Sequence, residues 1–185
     1  MTRVHNFGAG PCTLPVSVLE EVRDEFLDFE GIGMSIIEDS HRAPAYDAVH
    51  NDALAEFRTL AGVPDDFAIL FLQGGATLQF AQVPLNLLAK DETAGYVNTG
   101  AWATKALVDG EQVAGAYEAW AGADGGLARV PSESGEIDVR TGTRYVHVTS
   151  NETIDGVRFP HFPDLGVPMV ADMSSDFLSR PIDWE

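Results

Sequence analysis

Residues 67–77 read Phe67-Ala-Ile-Leu-Phe-Leu72, then Gln73-Gly74-Gly75-Ala76-Thr77. The first six residues are apolar at odd and even positions alike, the pattern of a strand covered on both faces inside a parallel sheet. The two glycines permit a sharp turn. A helix-like stretch follows from about Ala76 to Ala89, with a kink expected at Pro84. Downstream the pattern repeats. Ala94–Asn98 is a short strand candidate, and Gly100 and a helical stretch from Ala101 to Val108 follow it. Thr143–Thr149 (TRYVHVT) and Val167–Ala171 (VPMVA, ending at Asp172) are further strand candidates. Residues 122–142, rich in Gly, Ser and acids, read as an exposed connection. Strands alternating with helices predict an α/β chain, a three-layer, mostly parallel sheet with helices on both faces.

Upstream, residues 15–29 predict a helix. Pro15 suits a first-turn position, and Val18, Leu19, Val22, Phe26 and Phe29 recur at three- and four-residue spacing before Gly31 and Gly33 break it. Residues 44–61 predict a second helix, with Tyr46, Val49, Ala53, Phe57 and Leu60 on one face and Gly62 at the C-terminal cap.

The chain has 185 residues, about one domain or one domain plus a fragment. With 45% hydrophobic and 9% aromatic residues it has the material for a core, which excludes wholesale disorder. Its formal net charge is −18, from 29 acidic and 11 basic residues. A surface that negative repels phosphate backbones and anionic lipid, so nucleic-acid and membrane-surface partners are not expected. No apolar run approaches the ~20 residues of a membrane span, and the start, MTRVHNFGAGP, has no signal-peptide core. Only Lys90 and Lys105 are lysines, and many acids with few lysines suit a protein kept soluble in high salt. The single Cys12 excludes an internal disulfide framework and fits a reducing cytoplasm; it reads as a small buried residue. The histidines have no metal-ligand spacing, so no metal site is expected.

In an open parallel sheet, ligands sit at the C-terminal ends of the strands. After 67–72, the glycines and the helix start at Ala76 and Thr77 read either as an anion cradle or as a tight turn. The Walker ending is missing, and Gly8-Ala9-Gly10 lacks the third glycine and preceding strand of a dinucleotide fingerprint. After 94–98 comes Trp102, a plate for a flat ring or a core residue. After 143–149 comes Thr153, a hydroxyl donor. After 167–171 comes Asp172, a carboxylate for a protonated ring nitrogen or a helix cap. Ser40-His41-Arg42 lies in the polar joint between the first two helices; it is either an acid-binding pair or a solvated surface pair. A phosphate cradle, an aromatic plate, a hydroxyl and a carboxylate together fit pyridoxal phosphate.

Seven segments carry a family resemblance: NFGAGP (6–11), GIGMSIIEDSHR (31–42), LFLQGGATLQF (70–80), VPLNLL (83–88), GAWATKA (100–106), SNETIDGV (150–157) and ADMSSDFLSRPID (171–183). In that order they resemble the phosphoserine aminotransferase family, class V, fold-type I pyridoxal-phosphate enzymes. The resemblance implies that Ala76 and Thr77 bind cofactor phosphate, Trp102 stacks on the ring, Thr153 bonds near the phenolic oxygen and Asp172 holds the pyridine nitrogen. It implies that His41 and Arg42 bind the acidic groups of amino-acid and 2-oxo-acid substrates in a homodimer, serving the neighbouring subunit's site. Ala9 stands where some relatives carry a serine, and Thr77 where some carry an arginine.

The same resemblance implies a Schiff-base lysine in a Gly-Ala-Gln-Lys-like segment shortly after SRPID, and neither Lys90 nor Lys105 matches it. The expected organisation is therefore a 1–15 N-terminal segment and 16–185 as part of the cofactor-binding large domain, with that lysine and a small C-terminal domain beyond Glu185. The implied parent reaction is phosphoserine:2-oxoglutarate amino transfer in serine synthesis, with phosphohydroxythreonine in vitamin B6 synthesis as a second substrate. The chain itself is expected to be an inactive N-terminal half. The rival reading is a non-catalytic domain for a phosphorylated ligand.

Overall fold

The computed structural model describes residues 3–8, 10–122 and 129–184. The chain divides into two compact units, Met1–Phe71 with Arg180–Glu185, and Leu72–Ser179.

The first unit holds α1 (Val16–Glu25) and α2 (Pro44–Ala61). The second helix keeps its predicted limits because both ends are encoded locally. Pro44 opens it without needing an N–H donor, and Gly62 closes it at φ 61°, a left-handed cap. Helix α1 stops at Glu25, four residues short of the expected end, and Phe29 falls in a short 3₁₀ turn. Its apolar stripe is present but exposed: Val16, Val18, Leu19 and Val22 all face solvent. Arg58 gathers the chain after α2, its guanidinium donating to the carbonyls of Val63, Pro64 and Phe67. Trp184 closes on the same turn, donating from Nε1 to the Ala61 carbonyl at 3.0 Å and meeting the Phe67 ring edge-on at 5.3 Å. Cys12 is exposed, not buried as its size implied, because the Gly/Pro-rich segment around it packs into no core.

The second unit runs α3 (Gly75–Leu87), β1 (Thr93–Asn98), α4 (Ala101–Val113), β2 (Gly115–Ala121), β3 (Thr143–Thr149), β4 (Asn151–Glu152), β5 (Val157–Arg158) and β6 (Met169–Asp172). Strands β2, β1, β3 and β6 lie side by side in that order, every pair parallel. The short pair β4–β5 is antiparallel. One face carries Ala94, Tyr96 and Tyr145, packed against Phe80 of α3 and Ala106 and Leu107 of α4. The other carries Val97, Ala119, Val146 and Val148 under Ile137 and Phe159. The three enclosed valines each contribute about 1.5–3 kcal/mol of burial. Helix α4 approaches the sheet closely because residue 110 is glycine, where a Cβ would lie 2.7 Å from the Tyr96 hydroxyl.

Three further expectations change. Residues 67–72 are not a strand, and Leu70, Phe71 and Leu72 are 70%, 53% and 60% exposed. A strand needs a hydrogen-bonded neighbour as well as apolar faces, and among the described residues none runs beside this segment. Conversely, β2 arises from Gly115–Ala121, whose mix of Ala, Glu and Gly hides the two-residue period. Within 122–142, of which 123–128 lie outside the described residues, the connection is not wholly exposed. Ile137 is buried, with Val130 and Val139 packed beside it under the sheet.

Candidate active site

Beside the C-terminal ends of β3 and β6, on the α3 side of the sheet, is a cavity of about 260 Å³. This is just below the roughly 300 Å³ at which ligand pockets begin. Its apolar wall is Phe80, Val83 and Val170, and its polar groups are Gln79, His147, Asp172 and Ser174. Ala76, at the first turn of α3, completes it. That turn presents backbone N–H groups with no partner inside the helix, a partial positive charge. An anion-favouring helix start and a carboxylate therefore border one apolar space.

The sheet register decides which side chains reach this space. In the β3–β6 ladder His147 lies opposite Val170 and Thr149 opposite Asp172. Side chains two residues apart share a face, so Tyr145, His147 and Thr149 line up with Val170 and Asp172. Asp172 accepts hydrogen bonds at Oδ1 from the N–H of Ser174 at 3.0 Å and its Oγ at 2.5 Å. One Asp172 oxygen thus caps the following turn, and the residue lines the cavity. That turn is tied to the end of β3. Ser150 N–H donates to the Asp172 carbonyl at 2.9 Å, Ser150 Oγ donates to the Asp176 carboxylate, and Asn151 Nδ2 donates to Ser175 Oγ at 2.8 Å.

His147 is buried at 5% exposure between aromatic rings, stacked on Tyr96 at 4.9 Å and edge-on to Phe80 at 6.4 Å. Burial pushes its pKa down to about 4, against an opposing pull from the Asp172 carboxylate. Its Nδ1 and the Thr149 hydroxyl are buried without a hydrogen-bond partner. Burial also raises the Tyr96 and Tyr145 hydroxyls, which contact each other at 3.3 Å.

The residues singled out from the sequence fall in several places. Ala76 and Asp172 line the cavity. Trp102 is half-buried and packs on the Phe80–Tyr96–Tyr145 cluster that Val83 and Val170 also join, with the Lys105 ammonium 5.6 Å from its ring centre. Thr77 borders a second cavity, of about 410 Å³, with Gly74, Leu78 and Asp109. Thr153 is exposed in the turn joining β4 and β5. His41 and Arg42 are exposed in the first unit, and Ala9 lies outside the described residues. Neither Lys90 nor Lys105 lines the cavity. Among the described residues no cluster of His, Cys, Asp and Glu is arranged to hold a metal ion.

Two residues were missed from the sequence. His147 is a polar residue at a core-facing position of a buried strand, a signal visible in TRYVHVT. Glu152 is fully buried, and its carboxylate accepts the backbone N–H groups of Trp102 at 2.9 Å and Ala103 at 2.8 Å, capping α4 from a different strand. Gly100 makes room for it, since a Cβ there would stand 2.9 Å from the Glu152 carboxyl carbon.

Residues 4–185 match the family described as Aminotransferase class-V. The chain belongs to the class-V aminotransferases. Among proteins of this class it is 48% identical over 183 residues to the phosphoserine aminotransferase of Dichelobacter nodosus, covering 99% of this chain and 51% of that protein. It is 47% identical over 182 residues to that of Niallia circulans, covering 98% and 50%. The phosphoserine aminotransferase structure from Bacillus circulans subsp. alkalophilus superposes with a TM-score of 0.91 at 47% identity, over 98% of this chain and 50% of that one. The pyridoxal-phosphate-bound enzyme from Trichomonas vaginalis gives 0.90 at 35%, over 98% and 51%. This class-V chain thus spans about half the length of the relatives it matches.

Proposed function

We propose that this chain forms part of a phosphoserine:2-oxoglutarate aminotransferase, interconverting 3-phosphohydroxypyruvate and glutamate with phosphoserine and 2-oxoglutarate, and that it binds pyridoxal phosphate in the cavity between α3 and the ends of β3 and β6. The observation that carries this reading is the placement of Ala76 and Asp172 on one cavity. The names of the relatives support the substrate.

The cavity fits the cofactor. A helix start suits the phosphate, an apolar wall suits a flat ring, and a carboxylate suits the pyridine nitrogen. Buried polar atoms on the same sheet face, His147 Nδ1 and Thr149 Oγ1, await partners. When bound, the cofactor supplies an electron sink for the carbanion formed at the amino acid's α-carbon. The protein's own part is to bind and orient. The N–H groups at Ala76 and Thr77 hold the phosphate. The Asp172 carboxylate keeps the ring nitrogen protonated through a charge-assisted hydrogen bond. Trp102 supplies an aromatic plate and Thr153 a hydroxyl for the phenolic oxygen. Phe80, Val83 and Val170 exclude water, which strengthens the carboxylate's field.

The sheet unit is read as part of the cofactor-binding large domain. The cofactor-linking lysine is assigned outside residues 1–185, since Lys90 follows α3 and Lys105 sits inside α4. His41 and Arg42 are assigned to the acidic groups of the substrate, in a homodimer where they serve the neighbouring subunit's site. The assigned setting is the cytoplasm; no helix among the described residues is long and apolar enough to cross a membrane. Assay of the full-length protein that contains these residues tests the substrate. Phosphoserine should support glutamate formation from 2-oxoglutarate far better than serine or alanine does. Equal rates with and without the substrate's phosphate would refute the assignment.

A further inference from the structure

Asp172 lines the cavity at the C-terminal end of β6, where the chain enters a turn. Three consecutive residues anchor that turn in three directions. Ser174 donates to Asp172 Oδ1 through its N–H at 3.0 Å and its Oγ at 2.5 Å. Ser175 Oγ accepts from Asn151 Nδ2 at 2.8 Å and donates to the Asn151 carbonyl at 3.1 Å. Asp176 accepts a hydrogen bond from Ser150 Oγ. Ser150 is wholly buried and Asp176 is 6% exposed. Ser150 holds both ends of the turn. Its N–H donates to the Asp172 carbonyl at 2.9 Å, and its hydroxyl donates to Asp176. Its own carbonyl accepts the Phe159 N–H at 2.9 Å. A turn that only reversed the chain would not need an acid here, because burying a carboxylate is costly. What the acid supplies is a charge-assisted O–H···O⁻ bond, short and directional.

Resting on the cofactor reading above, we propose that Ser150 and Asp176 are positioning residues: their buried hydrogen bond pins the turn after β6, and through Ser174 it holds the Asp172 carboxylate in the orientation that meets a protonated pyridine nitrogen. The near end of the turn is held by backbone, Ser150 N–H to the Asp172 carbonyl. The far end is held by side chains, Ser150 Oγ to Asp176. Ser174 lies between them and places two donors on one oxygen of Asp172. Two donors on one oxygen set the rotation of the carboxylate. Hydrogen bonds weaken steeply once they bend, so a turn released at its far end loses that control. A group that touches a ligand keeps its geometry only when its own supports are locked.

The test is carried out on the 185-residue chain. Tryptophan quenching gives the affinity for pyridoxal phosphate and for its 1-deaza analogue, in which C–H replaces the ring nitrogen. The ratio of the two isolates the contact with Asp172. Ser150→Ala and Asp176→Ala cut the same bond from opposite sides, so either serves if the other does not fold. Each should lower the preference for pyridoxal phosphate about tenfold, the loss of one hydrogen bond to a charged group. Asp176→Asn, which keeps an acceptor oxygen, should retain most of the preference. In an Asp172→Ala background, Ser150→Ala should cost nothing further in that ratio, as coupled residues require. Equal weakening of both ligands would reduce the pair to a structural prop and overturn the inference. So would an unchanged ratio, or a loss that persists in full without Asp172. In the ligand-free chain, the ¹³C resonance of the Asp172 carboxyl should move in Ser150→Ala and in Asp176→Ala. If wild type binds neither ligand, the cofactor reading is refuted. That resonance then decides the link alone: a shift supports it, and a resonance that ignores both substitutions overturns it.

Discussion

The carboxylate of Glu152 accepts the backbone N–H of Trp102 at 2.9 Å, across 50 residues of sequence. A buried acid on a two-residue strand thereby fixes where α4 begins, and with it the residue assigned as the aromatic plate. Because a carboxylate at a helix N-terminus meets both open N–H groups and the positive end of the dipole, the contact is stronger than a neutral cap.

Glu152→Ala leaves the Trp102 and Ala103 N–H groups, part-buried and buried, without acceptors, and stability should fall by about 1–3 kcal/mol in urea titrations. Trp102 emission should shift to the red as the start of α4 loosens. Glu152→Gln, which retains an acceptor oxygen, should cost less than Glu152→Ala. Equal stability of Glu152→Ala and wild type would show that water replaces the cap.

His147 gives a pH signature. Its folded pKa, about 4, lies below its ordinary value of 6.5, so the folded state favours the neutral ring. The associated stability is fully present above pH 6.5 and is lost as pH falls toward 4. The magnitude is roughly 1–3 kcal/mol. Denaturant midpoints measured across that window should decline in the wild type and decline less in His147→Phe. Parallel curves would contradict the assignment.

Gly110→Ala should destabilise the sheet unit by about 1–3 kcal/mol, because the added methyl meets the Tyr96 hydroxyl and Ala116. Thermal unfolding followed by circular dichroism reads this directly. A neutral effect would mean that α4 can slide outward on β1 without loss.

The charge imbalance bears on conditions. With a net charge of −18, self-repulsion opposes the compact state, and molar KCl should raise the melting temperature by screening it. A Tm that does not rise from dilute buffer to molar KCl would remove the case for salt adaptation.

Much of the fold was legible wherever the sequence encodes an element locally. Helix α2 carries its own start and stop in Pro44 and Gly62, and strand β3 has enough β-branched and aromatic residues to stand out. Residues 67–72 were misread because apolarity specifies what a segment buries, while a strand also needs a neighbour to bond with. Strand β2 escaped notice for the opposite reason, being bound on the strength of its neighbour β1 rather than its own composition. At the site, Asp172 could be picked out because strand ends are where ligands gather. The role of Glu152 could not be assigned, because it comes from a contact 50 residues away. Thr153 is exposed, and Thr77 borders a different cavity from Asp172.

Titrating this chain with pyridoxal phosphate, and comparing wild type with Asp172→Ala and with Lys90→Arg/Lys105→Arg, tests the central assignment most directly. The account predicts reversible one-to-one binding that borohydride does not trap at a unique lysine. The affinity should fall about tenfold or more in Asp172→Ala and stay unchanged in the lysine double variant. Binding that ignores Asp172 but disappears with the two lysines would contradict it.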